Sequence, residues 1–149
     1  MPKITKPQLL NIEFHCDDRG YLVPLTNNLD RTLQKKIKRT YVVGNFSKGV
    51  IRGLHFHKKE IKIFYIARGA AKFVAINPKL PKKDFYAHVL SDKKSALFII
   101  PPGYANGWVS LSDNTILISL STSTFQESVK DDIRFSPYEW GDIWNIRAR

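Results

Sequence analysis

The sequence predicts an all-β sandwich or barrel with only short peripheral helices. Three observations lead there: strand-like runs rich in Val, Ile, Phe, Tyr and Thr recur along the chain, clusters of Gly, Pro, Asn, Asp and Ser separate them at short intervals, and no helical stretch is long enough to cover a sheet. Such a series folds as two packed sheets or a closed one. The chain of 149 residues is the length of one domain, 1–149, and its 43% hydrophobic content with 12% aromatics is enough to bury a core.

In order, the strand-like runs are YLVPL (21–25), KRTYVVGNF (38–46), EIKIFYIA (60–67), AKFVAIN (71–77), FYAHVL (85–90), SALFII (95–100), GWVSL (107–111) and NTILISLST (114–122). LDRTLQKKIK (29–38) reads as a short helix, and FSPYEWGD (135–142) as a turn of helix near the C-terminus. NPKLPKKD (77–84), with two prolines and three lysines, reads as an exposed loop. In IIPPGYANGW (99–108) the paired prolines and the glycine force a tight turn that places Tyr104 and Asn106 at the rim of whatever cavity the sheets enclose. Trp108, Phe64 and Phe73 read as core.

Charge narrows the partners. A formal net charge of +11, from 24 Lys and Arg against 13 Asp and Glu, favours a polyanion or an anionic small substrate. The lysines are scattered rather than gathered on one helix, so nucleic acid is not the expected partner. No apolar run approaches the ~20 residues needed to span a bilayer, and MPKITKPQLL lacks the apolar core of a signal peptide, which predicts a cytoplasmic protein with no membrane partner. The single cysteine, Cys16, has no internal disulfide partner and no second Cys with which to hold zinc.

The stretch from Gly49 to Gly69, GVIRGLHFHKKEIKIFYIARG, carries the chemistry. Its spacing resembles the first cupin motif, G-x5-H-x-H-x4-E-x6-G, with Lys62 in place of the glutamate, and the run from Pro101 to Asn106 resembles the second, P-x-G-x2-H, with Asn106 in place of the histidine. The resemblance implies a jelly-roll barrel. His55 and His57 share one face of a strand because side chains alternate, and Lys62 comes from the next strand. An ammonium group offers a divalent ion neither a lone pair nor a compatible charge, so no metal and no other cofactor is expected. A pocket with imidazoles and a fixed cation suits proton abstraction beside a carbonyl: a histidine removes the proton and the cation holds the enolate oxygen. The alternative is that His55 and His57 are packed barrel residues while the Lys62 ammonium reaches out to solvent.

CDDRGYL, GVIRGLHFH, IPPGYANGWVSLSD and DDIRFSPYEWGDIWNI together resemble the nucleotide-sugar epimerases typified by dTDP-4-dehydrorhamnose 3,5-epimerase, from about Asp17 to Trp144. HFHKK preceded by IKRTYVV is equally similar to the dTDP-sugar 3,4-ketoisomerases. Both groups are metal-free cupins acting on a nucleotide-diphosphate-linked 4-keto-6-deoxy sugar, in deoxysugar and surface-polysaccharide biosynthesis of the O-antigen kind. The resemblance implies that His55 is the base, that Lys62 stabilises the enolate, and that Arg19 and Arg52 hold the diphosphate, although both arginines also read as surface residues beside glycines. It further implies that Phe125 stacks on the nucleobase and that the protein is a homodimer, with Arg19 serving a neighbour's site.

Some positions depart from the epimerase pattern. His57 replaces a glutamine, Asn106 a histidine, and Ser119 stands eleven residues after Trp108, where a proton-returning tyrosine is expected. The chain ends at Arg149, before the segment that supplies the epimerases' aspartate partner to the histidine, so that partner is expected to be missing. Three functions remain: an epimerase inverting C3 and C5, either one, or C3 only; a ketoisomerase in which His55, His57 and Tyr41 move the proton between C3 and C4; and a non-catalytic sugar-nucleotide-binding cupin.

Overall fold

A computed structural model describes residues 4–147. The elements run β1 (Gln8–Asn11), β2 (His15–Asp17), β3 (Gly20–Leu22), α1 (Arg31–Lys36), β4 (Arg39–Asn45), β5 (Ile51–Phe56), β6 (Lys62–Arg68) and β7 (Ala70–Ile76). They continue with β8 (Phe85–Ser91), β9 (Ala96–Ile100), β10 (Ala105–Ser110), β11 (Thr115–Ser121), α2 (Phe125–Lys130) and β12 (Ile133–Arg134). Two antiparallel five-stranded sheets, ordered β1-β9-β6-β11-β4 and β12-β5-β10-β7-β8, make a jelly roll, and β2 and β3 form a separate two-stranded ribbon.

Burial explains the sequence pattern of the strands. The inner faces of the two sheets meet around Phe64, Phe73, Phe98, Trp108 and Leu117, with the Phe64 and Phe73 rings stacked 5.3 Å apart across the sheets. The outer face of the first sheet is also covered, by Ile12, Leu29 and Leu33 packed on Ile63, Leu97, Ile99 and Leu120. That of the second sheet is covered by C-terminal residues including Trp144, packed on Leu54, Val74 and Val109. Central strands covered on both faces read as unbroken apolar runs, as β6 and β9 do, whereas the sheet-edge strands β4 and β8 alternate in and out.

Two glycines allow β5 and β10 to approach closely in the second sheet. Gly53 has φ +127°, and a Cβ there would lie 2.7 Å from the Gly107 Cα and 2.9 Å from the Asn106 carbonyl oxygen. Only glycine tolerates both the backbone conformation and the contact. The β5–β10 register shifts at this point, between Asn106 and Trp108.

The helix expected over residues 29–38 is confined to Arg31–Lys36, started by the Asp30 carboxylate accepting from the Thr32 and Leu33 amides. FSPYEWGD forms turns rather than helix. The second helix is instead α2, and its N-terminus is a capping box in which Thr124 accepts from the Glu127 amide and the Glu127 carboxylate from the Thr124 amide. Lys38 pairs with Glu127 at 2.9 Å and ties α2 to the start of β4. This brings α2 and the Asp131–Asp132 segment after it over the ends of β4 and β5.

Candidate active site

A cavity of about 480 Å³ lies between the sheets, lined by β4, β5, β6, β10 and β11 and closed on one side by α2 and β12. His55, near the end of β5, lines it, and its Nδ1 lies 2.9 Å from Oδ1 of Asp132. This corrects the expectation that the aspartate partner is missing. The chain supplies it from the turn after α2, and the Arg134 Nε donates to the other carboxylate oxygen at 2.9 Å. Burial opposes ionisation of Asp132, but the hydrogen bonds from Arg134 and His55 outweigh it and hold the carboxyl below its ordinary range. An ionised Asp132 requires a proton on Nδ1 of His55, which leaves the Nε2 lone pair free as a base.

Lys62 opens β6 with only 9% of its surface exposed. It lines the cavity rather than reaching out to solvent. Burial pushes its ammonium below the ordinary lysine value, while the nearby Glu60 and Asp132 carboxylates oppose that shift. His57 lies just past the end of β5, lines the same cavity and is 3% exposed. The alternation argument therefore holds for His55 and His57, one residue beyond the strand itself.

Beneath Lys62 lies a carboxylate the sequence reading missed. Glu60 is buried and accepts from the Ser121 Oγ at 2.5 Å, the Ser128 Oγ at 2.7 Å and the Arg39 Nη2 at 3.2 Å. Arg39, also missed, holds its guanidinium 4.8 Å from the Tyr41 ring centre and 5.9 Å from that of Phe125. Phe125 itself begins α2, is exposed and lines the cavity.

Ser119 and Tyr41 face each other across the β11–β4 ladder. Ser119 is buried without a hydrogen-bond partner for its Oγ, whereas the Tyr41 ring lines the cavity. The phenol absent from β11 is thus present one strand away. Burial raises the Tyr41 phenol above its ordinary value; the neighbouring Ser119 hydroxyl moderates this without reaching hydrogen-bond geometry.

The remaining expected residues divide. Arg52 lines the cavity, fixed by the Asn45 Oδ1 at 2.5 Å and the Gly44 carbonyl at 3.1 Å. Asn106 also lines it, but its amide nitrogen donates to the His55 and Tyr104 carbonyls, a structural role for the replaced cupin histidine. Tyr104, expected at the rim, is buried instead, its hydroxyl bound to Asp84 at 2.9 Å. Phe64 and Trp108 are core residues that also form part of the cavity wall. Arg19 is not among the lining residues; its side chain, 84% exposed on the β2–β3 ribbon, pairs with Asp17. Among the described residues no group of three or more His, Cys, Asp or Glu side chains is disposed to hold a metal ion.

The sequence carried signals for part of what was missed. T-x-x-E at Thr124–Glu127 announces a helix start, and DDIR contains the missing carboxylate, but neither reveals which cavity it reaches.

A family profile described as dTDP-4-dehydrorhamnose 3,5-epimerase matches residues 2–147. The chain is 29% identical over 148 residues to the dTDP-4-dehydrorhamnose 3,5-epimerase of Methanothermobacter thermautotrophicus, covering 93% of this chain and 78% of that one. It resembles the crystal structure of dTDP-4-dehydrorhamnose 3,5-epimerase from Bacillus anthracis with TDP and PPi bound, with a TM-score of 0.77 at 23% identity over 99% of this chain and 90% of that one. It also resembles a sugar 3,4-ketoisomerase from Thermoanaerobacterium thermosaccharolyticum in complex with TDP, with a TM-score of 0.72 at 21% identity over 92% and 93% of the two chains.

Proposed function

The chain belongs to the dTDP-4-dehydrorhamnose 3,5-epimerase family, and from that premise we propose that it epimerises a nucleotide-diphosphate-linked 4-keto-6-deoxyhexose at a carbon beside the ketone. The observation that carries this is His55 held 2.9 Å from Asp132, in the wall of the same cavity as the buried Lys62. His55 Nε2 takes the proton from carbon, the C–H electrons pass to the ketone oxygen, and Lys62 holds the resulting enolate in surroundings where one such contact is worth more than in water. Asp132 stabilises the imidazolium formed. The enolate electrons then take a proton from the Tyr41 phenol on the opposite face of the carbon and the ketone re-forms; the phenolate recovers its proton from solvent and the His55 imidazolium releases its own to solvent. The upward shift of Tyr41 keeps that donor protonated at neutral pH.

Arg52 binds the diphosphate, and Phe125 stacks on the nucleobase at the exposed end of the cavity. The protein acts as one domain and as a cytoplasmic homodimer in which Arg19, outside this cavity, serves that of the second copy; sedimentation of the full chain tests the dimer. No helix among the described residues is long and apolar enough to cross a membrane.

A phenol on β4 rather than β11 supports the reading that only one centre, C3, is inverted. Incubation with dTDP-, CDP- and GDP-linked 4-keto-6-deoxyglucose in deuterated water, followed by NMR, tests this. The expected result is deuterium at C3 with inverted configuration; equal rates at C3 and C5 refute single-centre inversion, and no exchange with any substrate refutes the epimerase.

A second reading is supported by Tyr41 and the two imidazoles lining one cavity. They could carry a proton between C3 and C4, making a 3,4-ketoisomerase. Its product has the carbonyl at C3, so a product that keeps the C4 ketone excludes it. Nucleotide binding without exchange would identify the non-catalytic alternative.

A further inference from the structure

One imidazole of the cavity has no part in the epimerase chemistry above. His57 lies between two carboxylates, its Nδ1 3.2 Å from Oε2 of Glu60 and its Nε2 3.7 Å from Oδ1 of Asp132. Both contacts are within ion-pairing range, but neither has hydrogen-bond geometry, so both ring nitrogens are buried without a hydrogen-bond partner. That Oδ1 is the same atom that accepts from Nδ1 of His55. Two imidazoles therefore face one carboxylate oxygen, the first at the cavity wall and the second backed by a fully buried glutamate.

A neutral imidazole has one N–H and one lone pair. Whichever nitrogen of His57 carries the proton, the other sets its lone pair beside a carboxylate. Only the imidazolium is attracted by both Glu60 and Asp132. Burial and Lys62 work against that charge and lower the proton affinity of His57; Glu60, Asp132 and Asp131 work for it. Arg39 stands behind Glu60 at 3.2 Å, and Arg134 holds the far oxygen of Asp132 at 2.9 Å. The charged groups around His57 come from β4, β6, β12, the β5–β6 connection and the turn after α2. When His57 gains a proton, a second cation faces the oxygen that holds His55, and Asp132 stabilises a charge on His55 less well.

We propose that His57, backed by Glu60, is a positioning residue that competes with His55 for Oδ1 of Asp132, so that a buried imidazole–carboxylate pair sets the proton affinity of the base. This rests on the reading of His55 as the base. Ring-nitrogen NMR titration of the whole protein with 15N-labelled histidine tests it without any substrate. In the wild type the His55 signals show a second inflection where His57 titrates. In His57→Gln that inflection is lost and one step remains. In Glu60→Gln it moves to lower pH by about one unit, because the anion that favours protonated His57 is gone. A single-step His55 curve in the wild type overturns the proposal whether or not the variants fold, and so does a His55 curve unchanged in a folded His57→Gln protein.

The kinetic counterpart is the acid limb of kcat/KM for deuterium exchange, which loses its second inflection in His57→Gln. Coupled titration without exchange on any 4-keto-6-deoxy sugar nucleotide would refute the epimerase while leaving the sharing of Asp132 in place. Exchange with uncoupled titration would do the reverse.

Discussion

Replacing Asp132 with asparagine changes one atom and isolates the role of the carboxylate. The Arg134 Nε donates to the Oδ2 of Asp132 at 2.9 Å, so the amide of Asp132→Asn is oriented with its oxygen towards Arg134 and its NH2 towards His55. His55 must then accept at Nδ1, which moves the ring proton to Nε2, the nitrogen that takes the substrate proton in the proposed reaction. A base already carrying a proton there cannot remove another. To react, the ring must adopt the minor tautomer, which gives up a hydrogen bond and sets two N–H groups against each other. Losing a charge-assisted hydrogen bond and leaving a donor unsatisfied costs about 3–4 kcal/mol together, a fall of roughly 10²- to 10³-fold in rate. The assay is deuterium incorporation at carbon by NMR, with dTDP affinity measured by calorimetry as a control for an intact cavity. Exchange within threefold of the wild type, with affinity retained, would refute the role given to Asp132.

Lys62→Met removes the cation while keeping the side-chain length. The expected loss in kcat is about 10²- to 10³-fold, as for deletion of an oxyanion donor, with KM changed far less. Tyr41→Phe separates the two half-reactions: loss of the substrate proton persists, while formation of the inverted product falls at least about tenfold; equal effects on both would assign the phenol another role. Stability should rise with pH through the window below 6.5, because His57 and His88 are both shifted below that ordinary value and the unfolded chain binds more protons there. Urea midpoints measured from about pH 5 to 7 report this rise, and His57→Gln reduces its slope. Gly53→Ala places a Cβ against backbone at a positive φ, and should lower stability by more than about 2 kcal/mol in thermal or urea unfolding.

Much of the architecture was legible because the central strands are long, apolar and separated by strong turn residues. β1 and β2 were not, being short, largely exposed and without alternation. α2 was overlooked despite its capping box, since six residues leave little helical periodicity to detect. FSPYEWGD forms turns instead of a helical turn, and its aromatics pack over the second sheet.

In the site, the residues joined by one strand or one motif were legible: His55 and His57 by alternation, Lys62 and Arg52 by spacing. Glu60 was not, because it reads as one more charge in a KKE run, and only folding seals it beneath Ser121, Ser128 and Arg39. Ser119, reached by counting from Trp108, is buried on β11. That Tyr41 stands directly across from it follows from the register of β4 against β11.

The sequence by itself determined the strand pattern and the motif that carries His55, His57 and Lys62. Alternation and turn propensity act between near neighbours, so they are written in the order of residues. Tertiary structure decided that Asp132 reaches His55 from 77 residues away and that one carboxylate oxygen faces two imidazoles. Those relations depend on how α2 docks over the strand ends and on which strands lie side by side, and burial of the whole core fixes both.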